Sequence, residues 1–128
     1  MEKTMADKNP LGISKEDQEV VNEIEKLYPD LTQEYKKIML EQYITFCKKH
    51  KNYGCQNITL GTNLETEEDI KLSLTGLTIR LLDKINRLKT MVLNGEQDVV
   101  GESITDTFQD MSVYGIIAQI VQKGKFKR

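Results

Sequence analysis

The chain has 128 residues, the size of one ordinary domain, and its hydrophobic content of 38% is enough for a small core. Its net charge is only -2, so it lacks the excess of lysine and arginine expected of a nonspecific nucleic-acid-binding protein. No apolar run approaches the ~20 residues that span a bilayer, and the N-terminus lacks the apolar centre of a signal peptide. We therefore expect a cytoplasmic protein without membrane contact.

The first part of the chain predicts a flexible tail over residues 1–13 and then two helices. Residues 14–17 (SKED) resemble a capping box, and the helix that they begin must end before Pro29. The second helix runs to Gly54, which offers a left-handed stop. Its apolar side chains recur with a period of 3.6 residues, which is typical of a helix packed on one face. They are Leu31, Tyr35, Ile38, Met39, Tyr43 and Phe46.

The last turn of the second helix is rich in basic residues. Lys48, Lys49 and His50 can complement the negative end of the helix dipole, or they can form a patch that contacts phosphate. Both interpretations stay open at this point. The following segment, residues 56–65, has no sustained period and predicts a loop, and long irregular loops in small domains are often functional.

Two further helices, over about residues 66–93 and 102–123, form a predicted helical hairpin. Residues 66–69 (TEED) and 103–106 (SITD) resemble capping boxes at the starts of these helices. Each carries a row of like charges on one face, because the charged residues are spaced three or four positions apart. The rows are Arg80, Lys84 and Arg87 on the first helix, and Glu102, Asp106 and Asp110 on the second. The sequence therefore predicts an all-α protein, with a four-helix bundle-like domain over residues 14–128.

The two charged rows should meet across the hairpin, because helices joined by a short connection pack antiparallel. The antiparallel register places Arg87 opposite Asp106, and it places Lys84 or Asp83 near Asp110. Buried charges must at least pair with each other. The rows then form either a structural salt-bridge seam or part of a site for a small polar ligand.

Three segments carry a recognisable pattern. They are KKHKNYG at residues 48–54, GLTIRLLDKINRLK at 76–89 and ESITDTFQDMSVYGIIA at 102–118. A Lys-rich stretch before Tyr-Gly, an Arg-x-x-Asp-Lys-x-x-Arg-Leu helix and a Glu-x-x-x-Asp-x-x-x-Asp helix followed by Tyr resemble the phage nucleotide modification associated domain 1 family. The resemblance covers roughly residues 35–121. It implies an all-helical phage or prophage protein that works on nucleotides, and it implies no particular reaction.

The first functional hypothesis is therefore a phage protein of the host cytoplasm that binds or sequesters a phosphorylated nucleotide, or a nucleotide-derived signal of host defence, without catalysis. The expected phosphate-binding residues are Arg80, Lys84, Arg87, Lys48, Lys49 and His50. The expected ligand-orienting or stacking residues are Asp83, Glu102, Asp106, Asp110, Tyr53 and Tyr114. We expect no cofactor, and we expect self-association into a dimer or a larger oligomer.

Two alternatives remain. The last helix is also similar to the final helix of the all-α nucleotide pyrophosphatases of the MazG and dimeric dUTPase type. That similarity implies a magnesium-dependent nucleoside triphosphate pyrophosphatase whose metal ligands are Glu102, Asp106, Asp110 and Asp83. The other acidic cluster, residues 65–69, lies about 22 Å along the helix from Asp83, too far to share this metal. The second alternative is a protein-interaction module in which the charged rows are a structural seam.

Overall fold

A computed structural model describes residues 12–96 and 101–127, so most of the predicted N-terminal tail lies outside the described residues. Within these ranges the chain forms helices and no strand, which confirms the all-α prediction. The helices are α1 (Lys15–Leu27), α2 (Pro29–Tyr53), α3 (Gln56–Thr59), α4 (Glu67–Leu88, continued by a π-helical turn at Lys89–Leu93) and α5 (Ile104–Gln122). None of the helices described combines the length and the apolar character needed to cross a membrane.

The predicted capping boxes mark where helices begin. The Ser14 hydroxyl accepts a hydrogen bond of 3.1 Å from the Asp17 amide at the start of α1. The Thr66 hydroxyl does the same for the Asp69 amide at the start of α4, also at 3.1 Å. These side chains satisfy amides that have no partner within their own helix, and they fix where each helix starts.

The chain divides into two compact units, residues 1–41 and residues 42–128. The first unit holds α1 and the first half of α2, and the second unit holds the end of α2 with the later helices. α1 and α2 contain no fully buried residue. The single domain expected over residues 14–128 stays a prediction.

The core of the second unit lies where α3, α4, α5 and the C-terminal segment meet. α4 packs against both α3 and α5, which confirms the predicted helical hairpin. The hydrophobic side chains buried there are Ile58, Leu64, Leu77, Ile117, Val121 and Phe126. The core is therefore built around the hairpin, and residues outside both of its helices complete it.

The segment over residues 56–65, predicted as an irregular loop, is irregular only from residue 60 onward. Gln56–Thr59 forms α3, and the carbonyl of Ile58 accepts a 2.7 Å hydrogen bond from the buried hydroxyl of Ser73. Leu64 adopts a left-handed φ of 59°, which is unfavourable for a branched side chain, and burial of that side chain compensates. A single helical turn is too short to show a period, so the sequence pattern missed it.

The C-terminal segment, which the sequence shows only as a basic and aromatic end, also belongs to the core. Phe126 is 4% exposed and meets Phe46 and His50 edge to face, with ring centres 6.1 and 5.4 Å apart. His50 Nε2 lies 3.2 Å from the carbonyl oxygen of Lys127, within hydrogen-bonding distance. The end of the chain is thus held against the last turns of α2.

Replacement of Phe126 by alanine should therefore lower the free energy of unfolding by about 3–4 kcal/mol, because the contacts of a buried aromatic side chain are lost. Phe108 is the matched control, since it is 54% exposed and its replacement by alanine should cost less than about 1 kcal/mol. Urea denaturation followed by circular dichroism measures both values. Equal losses in the two variants would contradict the core position of Phe126.

Candidate functional site

A cavity of about 270 Å³ lies within the second unit, between the end of α2, α3, α4 and α5. Its volume is just below the ~300–1,000 Å³ of typical small-molecule sites, so it suits a small ligand or one part of a larger ligand. Polar or aromatic residues around it include Lys49, His50, Tyr53, Asn57, Arg80, Gln109, Asp110, Tyr114 and Phe126. The cavity therefore combines cations, one carboxylate, amides and aromatic rings.

Helical spacing explains why these side chains meet. Lys49 and Tyr53 are four residues apart at the end of α2, so they lie on the same side of that helix. Asp110 and Tyr114 have the same spacing on α5, and Ile117 follows on that face and is buried. The α5 face thus changes along its length from charged to aromatic to apolar, and its charged and aromatic part lines the cavity.

Arg80 is held at the cavity wall by two contacts. Its Nη2 donates a 2.8 Å hydrogen bond to the carbonyl of Asn57 in α3. Its guanidinium carbon lies 5.7 Å from the centre of the Tyr114 ring, within range of a cation–π interaction. A guanidinium has five N–H donors, so these contacts orient Arg80 and leave other donors for a ligand.

Lys84 forms the centre of an ion-pair network with Arg87, Glu102 and Asp110. Lys84 Nζ lies 2.7 Å from Glu102 Oε1 and 2.9 Å from Asp110 Oδ2. Arg87 Nε lies 3.4 Å from Glu102 Oε2, and Arg87 also donates to the Glu102 carbonyl and to the hydroxyl of Thr107. The ionic side chains are 18–29% exposed, so water screens these pairs only in part.

The predicted antiparallel register is confirmed for Lys84, which contacts Asp110 as expected. Arg87 contacts Glu102 and Thr107, whereas the prediction placed it opposite Asp106. The Asp106 carboxylate instead accepts a 3.2 Å hydrogen bond from the Ser103 amide and completes a capping box at the start of α5. The Asp106 side chain therefore points toward the start of its own helix, because it caps a backbone amide there.

Burial lowers the pKa of Lys84, but hydrogen bonds and charge interactions with Glu102 and Asp110 raise it by more, so the net pKa lies above its ordinary value of 10.5. Lys84 consequently stays charged at neutral pH. Its positive charge offsets the negative charge of Asp110, whose side chain also lines the cavity. An anionic group can thus approach Asp110 with less repulsion.

The structure brings half of the predicted site residues to the cavity and leaves the others outside. Those that line it are Lys49, His50, Tyr53, Arg80, Asp110 and Tyr114. Those that do not are Lys48, Asp83, Lys84, Arg87, Glu102 and Asp106. The two basic segments, which the sequence presents as separate candidates, therefore contribute to one site.

Asn57, Gln109 and Phe126 are among the lining residues that sequence reasoning missed. Asn57 falls in the segment read as a loop, and Phe126 falls in the C-terminal end, where no periodicity could place it. Gln109 precedes Asp110 and could have been inferred from the neighbouring position on α5. Asn57 and Phe126 belong to the site only because segments far apart in the sequence come together in the fold.

Carboxylates within the described ranges do not form a cluster that could hold a metal ion. Glu102 and Asp110 both contact Lys84, Asp106 caps α5, and Asp83 is exposed to solvent. The four acids proposed as magnesium ligands therefore do not come together as one set of ligands. This arrangement therefore provides no group of metal ligands for the magnesium-dependent alternative.

Comparison with known families gives one match. The model of a family described as nucleotide modification associated domain 1 matches residues 49–121, which is more than half of the chain. The matched range contains the cavity residues from Lys49 to Ile117 and the whole ion-pair network. No curated protein and no solved structure matches the chain. The similarity of the last helix to the all-α pyrophosphatases is not shown by these comparisons.

Replacement of Lys84 by methionine should destabilise the protein by about 2 kcal/mol at pH 7, because two partly buried carboxylates lose their cation. The raised pKa also sets the pH dependence. The stabilisation is fully present below the unfolded-state pKa of Lys84, and it disappears as pH rises through the folded-state pKa. Urea denaturation of both proteins at pH 7, 9 and 11 should show a difference that shrinks only above about pH 10.5.

Lys71→Met is the matched control for this substitution, since Lys71 is an exposed residue of the same helix. Its free energy of unfolding should stay within about 0.5 kcal/mol of the wild-type value at each pH. A deficit of Lys84→Met that grows from pH 9 to pH 11 would show that the sign of the argument is wrong.

Proposed function

The chain belongs to the nucleotide modification associated domain 1 family, and from that premise we propose that it binds a phosphorylated nucleotide or a nucleotide-derived small molecule without catalysis. One observation supports this proposal above all others. Cations, aromatic rings and hydrogen-bonding groups from separate segments line a single cavity of about 270 Å³. Such convergence is typical of a site for a small polar ligand.

Phosphate is bound in this proposal by Arg80 and Lys49. Arg80 is oriented in advance by Asn57 and Tyr114, so little of its conformational freedom is lost when a ligand arrives. A guanidinium fork matches the geometry of phosphate oxygens, and an ammonium group adds a second charge. Lys84 aids phosphate binding indirectly, because its charge offsets that of the Asp110 carboxylate. Lys84 itself does not contact the ligand in this proposal.

The base of the nucleotide stacks on an aromatic ring of the cavity. Tyr53 is the best candidate, because it lines the cavity and 66% of its surface is exposed and available to a ligand. The Tyr114 ring already interacts with Arg80, and Phe126 is buried in the core. Stacking of a base on such a ring contributes about 1–3 kcal/mol and is tolerant of base identity.

Hydrogen-bonding groups on the opposite side of the cavity orient the ligand. Asp110 accepts hydrogen bonds from sugar hydroxyls or base amino groups, and Gln109 can both donate and accept. Asp110 Oδ2 is already bound to Lys84, so its other oxygen is the acceptor for the ligand. The described residues offer no group of carboxylates around Asp110 that could hold a metal ion, which favours binding over metal-assisted hydrolysis.

The biological role that follows from binding alone is sequestration. A phage protein that holds a nucleotide-derived signal of host defence would lower the free concentration of that signal without any chemical step. The same binding activity would also serve modified-nucleotide metabolism. The two roles differ in ligand, so the ligand panel described next separates them.

Isothermal titration calorimetry should detect binding of at least one member of a panel of nucleoside mono-, di- and triphosphates and cyclic mono- and dinucleotides. Lys49→Gln should weaken that binding about tenfold, because one charge-assisted hydrogen bond is lost. Lys48→Gln is the matched control. It removes the same charge one residue away, where the side chain does not line the cavity, and it should leave affinity nearly unchanged.

Absence of binding to every panel member at high protein concentration would overturn the proposal. Incubation of each nucleoside triphosphate with the protein and magnesium tests the competing enzyme. Pyrophosphate release that Asp110→Asn abolishes would establish the magnesium-dependent pyrophosphatase instead.

A protein-interaction module remains the second candidate, because the ion-pair network accounts for Lys84 and Arg87 without any ligand. If the protein is an interaction module, its biological activity should survive replacement of both Lys49 and Arg80 by neutral residues. Loss of activity in that double variant, with an unchanged free energy of unfolding, would favour the cavity.

A further inference from the structure

Two kinds of cation lie in and around the cavity, those that have an anionic partner and those that do not. Lys84, which does not line the cavity, is paired with Glu102 and Asp110. Lys49 and Arg80 do line it, and neither forms a salt bridge with a carboxylate of the described residues. The positive charge of Lys49 and Arg80 is therefore available to a ligand.

The charges of the cavity wall determine which ligand charge the cavity can neutralise. Among the described lining residues, Lys49 and Arg80 are cations and Asp110 is an anion. The charge of Asp110 is offset by Lys84, whose Nζ lies 2.9 Å from Asp110 Oδ2, and His50 counts as neutral at pH 7. Two positive charges thus remain for a ligand. A phosphate monoester carries a charge of about −1.5 to −2 at pH 7, because its second pKa is about 6.

We propose that the ligand of this cavity is a nucleoside monophosphate, whose single doubly charged phosphate contacts both Arg80 and Lys49. This inference rests on the proposed function and narrows its ligand to one class. Arg80 is only partly exposed, and a partly buried cation gains more from an anion than an exposed cation does, because water and salt screen it less. The phosphate is therefore placed first against the guanidinium of Arg80.

A phosphodiester matches this pair of cations less well. It has no second ionisable oxygen, so it presents about half of the negative charge of a monoester to Lys49 and Arg80. Hydrogen bonds to phosphate are strengthened by its charge, so a diester forms weaker contacts with the same donors. Cyclic mononucleotides and cyclic dinucleotides contain this linkage, which places them below the monophosphate.

Longer phosphate chains need positive charge beyond that of the described cavity wall. Proteins usually bind them together with Mg²⁺ that is held by carboxylates, and the described acids form no group that could hold a metal ion. Additional phosphates would have to reach exposed lysines that do not line the cavity, such as Lys51 and Lys127. Because exposed ion pairs contribute little, a second and a third phosphate add little affinity.

Calorimetric titration of the wild-type protein without magnesium tests the inference. The titrants are the monophosphate, the diphosphate, the triphosphate and the cyclic monophosphate of each common nucleoside. The monophosphate should bind about tenfold more tightly than the cyclic monophosphate of the same base, a difference of one charge-assisted contact. The diphosphate and the triphosphate should bind no more tightly than the monophosphate.

The same titrations at pH 5 provide a second readout. At this pH about a tenth of the monophosphate is doubly charged, so its preference over the cyclic monophosphate should shrink about fivefold relative to pH 7. Protonation of His50 or Asp110 acts on the binding of both ligands, so the ratio of the two affinities isolates the ionisation of the phosphate. A ratio that is the same at pH 5 and pH 7 would overturn the inference.

Two variants locate the phosphate. Lys49→Gln should reduce the preference for the monophosphate over the cyclic monophosphate to about threefold or less, because one of the two cations is lost. Lys48→Gln, the matched control, removes a charge that does not line the cavity and should keep the preference. An undiminished preference in Lys49→Gln would contradict the placement of the phosphate between Lys49 and Arg80.

The outcomes separate this inference from the function on which it rests. Tightest binding of a triphosphate, a diphosphate or a cyclic nucleotide would overturn the monophosphate and leave nucleotide binding in place. Absence of binding to every titrant would overturn both. The wild-type titrations decide between these results even where a variant fails to fold.

Discussion

The pairing of Lys84 with Glu102 and Asp110 is the interaction on which the rest of the second unit depends. It joins α4 to α5 at a fixed register, because one ammonium group contacts both Asp110 on α5 and Glu102, which lies just before α5 begins. Arg87 extends the same network toward the start of α5. With that register fixed, the apolar faces of the two helices meet around Leu77, Ile117 and Val121.

The cavity is a consequence of this register. Asp110 belongs both to the ion-pair network and to the cavity wall. Tyr114 lies one turn later on α5, and its ring makes a cation–π contact with Arg80. Hence the charge that stabilises the hairpin also neutralises the carboxylate in the cavity wall. In the proposed binding site, Lys84 and Arg87 therefore belong to the scaffold, and Lys49 and Arg80 are the residues that would contact a ligand.

Local sequence signals predicted much of this arrangement. Ser14 and Thr66 gave the starts of α1 and α4, because a hydroxyl that caps an amide acts within one turn of chain. The charged rows gave the contact between Lys84 and Asp110, since two helices in a hairpin have few possible registers. The position of Asp106 could not be obtained in this way, because two local roles competed for it and the capping box prevailed.

The sequence by itself determined the four longer helices, the caps of α1, α4 and α5, the hairpin and the contact of Lys84 with Asp110, since these follow from spacing within a few turns of chain. Only the tertiary structure decided which of those residues share a cavity. α3 and Phe126 have no periodic signal, and they reach the end of α2 only because burial of Ile58, Leu64 and Phe126 stabilises that approach. Contacts between segments far apart in the chain depend on packing, which local patterns do not encode.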